Sequence, residues 1–127
     1  MNRLLPVLAM ALAVFGAPAA ALAGDPADPR IRVIDYDPDA IYRVAGAYRT
    51  ATQVVFAPDE TIRHVAVCDS VAWEVAAEGS VLFLKPRERH QATNLLVVTD
   101  RGAQARHYPF ELAAGEARGR TPAYHIR

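Results

Sequence analysis

Three stretches decide the fold: Asp69-Ser70-Val71-Ala72-Trp73-Glu74-Val75, then Val81-Leu82-Phe83-Leu84-Lys85-Pro86, then Asn94-Leu95-Leu96-Val97-Val98-Thr99. Each is a short apolar run, and Glu78-Gly79-Ser80 and the polar segment 86–93 separate them. Runs this short, bounded by turn residues, read as strands, because an amphipathic helix needs ten or more residues to bury a face. In the first run Trp73 and Val75 fall on one side, and that alternation makes Trp73 a core residue rather than an exposed anchor. The second and third are apolar at nearly every position, the pattern of strands inside a packed sheet.

The same reading extends outward in both directions. Residues 30–36 form a strand stopped by Asp37-Pro38-Asp39, since the residue before a proline is barred from helical conformation. Residues 41–44 resume extended character and end at Gly46, and residues 49–56 place Thr50, Thr52, Val54 and Phe56 on one face. Pro58-Asp59-Glu60 turns the chain into residues 62–67, where Val65 and Val67 share a face. Asp100-Arg101-Gly102 is a turn into residues 103–112, where Tyr108, Phe110 and Leu112 alternate. Pro109 cannot donate to a ladder, so this strand is expected at an edge or a bulge, with Ala105, His107 and Pro109 as candidate interface residues. Seven to eight short, mostly antiparallel strands and no sustained 3.6-residue period describe an all-β sandwich.

The ends set the compartment. Arg3, the apolar run 4–22 and the small-residue site Ala21-Leu22-Ala23 read as a signal peptide cleaved between Ala23 and Gly24. Pro6, Gly16 and Pro18 within the run favour cleavage over a membrane anchor. The expected organisation is residues 1–23 as signal, 24–112 as sandwich, and 113–127 as a linker or the truncated start of a further domain. The 14 basic and 14 acidic residues balance. There is no basic excess to hold nucleic acid directly. Cys68, the single cysteine, has no internal disulfide partner and reads as a small buried residue closing strand 62–67.

Chemistry-bearing motifs are absent from the sequence. His64, His90, His107 and His125 show no metal-ligand spacing. Asp35, Asp37 and Asp39 mimic half a calcium loop, but Ala40 stands where the glycine belongs and Gly46 where the bidentate glutamate belongs, leaving an Asx/Pro turn. Ser70 and Ser80, the only serines, lie in no nucleophile elbow. The reading is a non-enzyme without cofactor or metal.

One further pattern spans the chain: Asp28-Pro29-Arg30-Ile31-Arg32, Tyr36 with Pro38, Gly46 with Tyr48 and Thr50, and Phe56 before Glu60-x-Ile62. It continues through Asp69-Ser70-x-x-Trp73-Glu74-Val75, Leu82-x-Leu84-Lys85-Pro86, Thr93-Asn94-Leu95, Thr99-Asp100-Arg101 and Tyr108-x-Phe110. In this order the elements resemble the N-terminal domain of the TrbG/CagX family, which includes the ninth protein of the VirB set. Cys68 stands where that family usually has glycine. The resemblance implies a periplasmic, non-enzymatic subunit of the outer-membrane core complex in type IV secretion and conjugal transfer. It implies ring packing with copies of itself and contact with an inner-membrane-spanning periplasmic subunit. An outer-membrane lipoprotein partner is implied only if the family's second domain is present. It makes Trp73, Glu74, Val75, Lys85, Pro86, Thr93, Asn94 and Leu95 structural rather than catalytic. The alternative is a free-standing periplasmic module holding a peptide or small ligand in a groove between the sheets.

Overall fold

Turns at Pro58-Asp59, Asp69-Ser70, Gly79-Ser80 and Gly102-Ala103 cut the chain into short extended runs, and the computed structural model, which describes residues 28–89, 91–116 and 123–127, stacks them in two sheets. Among the described residues there are nine strands. They are β1 (Ile31–Ile34), β2 (Tyr42–Ala47), β3 (Thr52–Val55), β4 (Glu60–Val67), β5 (Trp73–Glu78), β6 (Val81–Pro86), β7 (Thr93–Arg101), β8 (Gln104–Gly115) and β9 (Ala123–Ile126). One sheet runs β1-β9-β3-β6-β5 and the other β2-β8-β7-β4. The fold is an all-β sandwich of mixed pairing. β8 with β7, β4 with β7, β3 with β6 and β5 with β6 are antiparallel; β2 with β8 and β9 with both β1 and β3 are parallel.

Alternation fills the space between the sheets. Val54, Leu82, Leu84, Tyr124 and Ile126 point inward from the first sheet, Val44, Leu95, Val97, Tyr108, Phe110 and Leu112 from the second. Each large apolar side chain buried this way contributes about 1.5–3 kcal/mol. Tyr108 is the hub, its ring centroid 4.7 Å from Phe56 and 5.1 Å from Tyr36. At the other end the sheets meet across Gly46: a Cβ there would sit 2.7 Å from Cη2 of Trp73 and 3.4 Å from Pro86. Only a glycine lets the indole lie this close to β2. The Tyr124 hydroxyl adds a polar tie between sheets, accepting from the Ala45 N–H at 3.1 Å.

Several strand boundaries and exposures differ from the sequence reading. Val71 lies in a turn, and β5 begins at Trp73 because the Asp69 side chain accepts from the Ala72 N–H at 2.9 Å and its carbonyl from the Trp73 N–H. Thr50 lies outside β3. β6 and β7 are interior strands, yet Phe83 and Leu96 are 39% and 49% exposed, because each sheet packs on one face alone. Cys68 is exposed, not buried: it follows the end of β4, an outer strand of its sheet. β8 runs to Gly115, past residue 112, and Ala123–Ile126 forms a strand of the sandwich, inserted between β1 and β3. The signal segment, with Ala23 and Gly24, lies outside the described residues.

Candidate interaction surface

The strand carrying Pro109 is central over half its length and open over the other half. The two-residue turn Gly102-Ala103, with Gly102 at φ 59°, pairs Arg101 with Gln104 and sets the phase of the hairpin. Counting from that pair, Gln104, Arg106, Tyr108 and Phe110 direct their main-chain groups at β7, while Ala105, His107 and Pro109 direct theirs to the opposite side. On that side β2 begins only at Tyr42, opposite Phe110. The missing N–H of Pro109 therefore costs β7 nothing, and Ala105 and His107 face a side without a strand among the described residues. β8 is thus not an edge strand as a whole, and the expectation corrects to a half-edge over residues 104–109.

The side chains on the core side of this half-edge are pinned. Glu60, at the start of β4, is 2% exposed. Its Oε2 accepts from the Thr99 hydroxyl at 2.7 Å and the Tyr108 hydroxyl at 2.5 Å; its Oε1 accepts from Nη1 of Arg106 at 2.7 Å. The guanidinium of Arg106 lies over the Tyr36 ring at 4.3 Å from its centroid. Burial, reinforced by the hydrogen bond to Glu60, raises Tyr108 far above an ordinary phenol. Side chains of β7 and β8 thus converge on one carboxyl group of β4, with Tyr36 backing Arg106. No motif in the sequence announces this cluster. A signal was present: Arg106 shares the inward phase of Tyr108 and Phe110, and an inward arginine demands a buried acid.

The remaining residues singled out by sequence do not converge. Trp73, Pro86 and Leu95 are buried and Val75 partly so. Glu74 holds Arg87 at 3.1 Å, next to Lys85 across the β5–β6 ladder. Thr93 opens β7 opposite Leu112, and the Asn94 carbonyl accepts from the Cys68 N–H at 3.1 Å. His64 and His107 flank Val98 on one row of the second sheet, His125 sits in the first sheet, and His90 is outside the described residues. Among the described residues no group of three or more His, Cys, Asp or Glu side chains is placed to hold a metal. The Asp37 side chain accepts from the Asp39 N–H at 2.9 Å, an Asx turn. Outside the second sheet, Ile41, Leu96, Pro109 and neighbours line a groove of about 490 Å³.

The model of a conjugal transfer protein family, CagX, matches residues 29–127, which takes in every strand of the sandwich. The chain belongs to the CagX family. Among its relatives is a type IV secretion system protein virB9 of Bartonella henselae, 44% identical over 90 residues covering 70% of this chain and 31% of the relative. A protein virB9 of Rhizobium radiobacter is 31% identical over 68% of this chain and 30% of its own length. The type IV secretion system protein PtlF of Bordetella pertussis is 33% identical over 75% of this chain and 38% of its own. This CagX-family chain therefore spans about a third of the length of the curated relatives it matches.

Proposed function

We propose that this CagX-family chain is a non-enzymatic structural subunit of a type IV secretion or conjugal transfer complex, working in the periplasm beside the outer membrane. The observation that carries the reading is the family match across the whole sandwich, from relatives named as type IV secretion proteins. The architecture supports it. The space between the sheets, where a free-standing ligand module would need a cavity, is filled by Phe56, Tyr108, Phe110 and Leu82. What the molecule offers to partners lies outside: an open half-edge on β8 and exposed apolar side chains such as Ile41 and Leu96. In this reading copies of the chain pack into a ring and contact an inner-membrane-spanning periplasmic subunit. A lipoprotein contact requires the further domain.

The test is a mild-detergent pull-down of the tagged chain from its native cells, with partner identification and intact mass. Recovery with an inner-membrane-spanning subunit and further copies of the chain is expected, with an intact mass matching a chain that begins near Gly24. Recovery as a lone soluble monomer would overturn the subunit reading and leave the binding module.

A further inference from the structure

We infer that residues 104–107 of β8 are a strand-addition site, taking a short extended segment of a partner polypeptide laid end to end with β2. The segment's apolar side chain lodges against Ile41 and Leu96. The inference rests on the subunit reading and deepens it by naming where a partner binds and in what conformation.

The main chain specifies the occupant. Ala105 and His107 each turn an N–H and a C=O out of the sheet, a two-donor, two-acceptor pattern that an extended backbone satisfies. Among the described residues no strand pairs with them on that side and no backbone hydrogen bond reaches them there. The chain entering β2 is held away from the ladder: the Tyr42 hydroxyl donates to the Asp37 carbonyl at 2.9 Å and accepts from its N–H at 2.8 Å. Pro109 ends the site, because it offers no donor on that side.

The half-edge is also rigid and unguarded. Arg106, between the two outward residues, is fixed by Glu60 and Tyr36, so the strand is pre-formed and little ordering cost falls on binding. Sheet edges in folded proteins are normally blunted by charges or bulges. Here β4 carries a bulge between Ile62 and His64 together with Arg63, β1 carries Arg32, and β5 carries Glu74 and Glu78. The open part of β8 has no bulge in its ladder, and its outward side chains are Ala105 and His107.

The partner's side-chain chemistry follows from the groove at the end of the site. Ile41 is 67% exposed and Leu96 49%, and Leu96 pairs with Pro109 across the β7–β8 ladder. An aliphatic or aromatic residue of the added strand covers both.

Proline substitution separates main chain from side chain. Ala105→Pro removes only an outward N–H, as Pro109 already does four residues along the same strand. Arg106→Pro removes an inward one, breaks the β7 ladder and serves as the unfolding control. Partner recovery from native envelopes is expected to fall at least about tenfold in Ala105→Pro, the scale of one lost interfacial hydrogen bond plus a steric block. The urea midpoint stays close to wild type, and Ala105→Ser recovers partners normally. Hydrogen exchange on the unsubstituted chain is the second readout: the Ala105 and His107 amides are expected to slow at least tenfold in the assembled complex. A folded Ala105→Pro that assembles like wild type, or equal exchange of those amides free and assembled, overturns the strand-addition site alone. A photo-crosslinker at position 104 that captures another copy of this chain overturns the partner polypeptide as occupant. A wild-type chain recovered without any envelope partner overturns the subunit reading itself.

Discussion

Glu60 shows how much of this sandwich depends on one side chain. Removing one partner of a buried ion pair strands the other, so Arg106→Ala is expected to cost about 3–5 kcal/mol, read from urea midpoints. Tyr108→Phe keeps the ring but deletes the 2.5 Å hydrogen bond, and about 1–3 kcal/mol is expected to be lost. The same hydroxyl sets an alkaline limit. An unfolded tyrosine ionises near pH ~10, whereas folded Tyr108 holds its proton to higher pH because burial, and then Glu60, disfavour the phenolate. The stabilisation is therefore complete below pH ~10 and lost as pH rises above it, at up to about 1.4 kcal/mol per pH unit. Urea midpoints taken from about pH 8 to 11.5 are expected to fall along that slope, and Tyr108→Phe to flatten most of it; Tyr42, also raised by burial, adds a smaller share. Thr52 presents the opposite case. Its hydroxyl is buried with no hydrogen-bond partner, so Thr52→Val is expected to leave stability unchanged or raise it by about 1–2 kcal/mol. A drop of that size instead would mean the hydroxyl is satisfied by water.

At the scale of elements, the close approach of β2 to β5 and β6 is the point where a single methyl group decides packing. Gly46→Ala places its Cβ 2.7 Å from the Trp73 ring, and overpacking of that kind costs about 1–3 kcal/mol. In a chain of this size the expected fall in melting temperature is about 5–15 °C, measured by thermal denaturation. An unchanged melting temperature would show that the indole can slide off β2. Gly46 stood out in the sequence only as part of a family pattern; the reason for it is a contact between strands far apart in the chain. What sequence conveyed well was local phase. Tyr108, Phe110 and Leu112 alternate inward as read, because the period-2 geometry of a strand is fixed by the backbone. What it conveyed poorly was which strand lies beside which. Pro109 marked a strand with an outward donor missing, but gave no sign that β2 would join one residue later and make the rest of β8 central. Cys68 was misplaced for a different reason: with Val65 and Val67 turned inward, the period-2 alternation puts Cys68 on the outer face with Ala66, although β7 runs alongside it.

The whole molecule closes through its most distant pairing, and that pairing was least legible. Tyr124 and Ile126 are only two apolar residues in a short segment, and local pattern gave them no fixed place. In the structure β9 runs parallel to β1 on one side and to β3 on the other, joining residues about ninety and about seventy positions apart. Tyr124 and Ile126 are 2% and 1% exposed, and at the strand end the Arg127 N–H donates to the Ile34 carbonyl at 3.0 Å while the Arg127 carbonyl accepts from the Tyr36 N–H at 2.8 Å. Parallel neighbours require long crossovers, so no hairpin signal can announce them. β1 pairs with β9 and with no other strand among the described residues. Without β9 the five-stranded sheet therefore loses both β9 and the anchoring of β1, and the Val54 edge of β3 opens to water. Burial of Tyr124 and Ile126 alone contributes about 3–6 kcal/mol, comparable to the whole stability of a small domain. A chain ended after Glu116 is accordingly expected to lose cooperative unfolding in urea and to expose apolar surface to a dye such as ANS. The full chain is expected to unfold in one transition. If the shortened chain instead unfolds cooperatively with a midpoint near that of the full chain, β9 is an accessory strand, and the sandwich is complete with β3, β6 and β5 facing the second sheet.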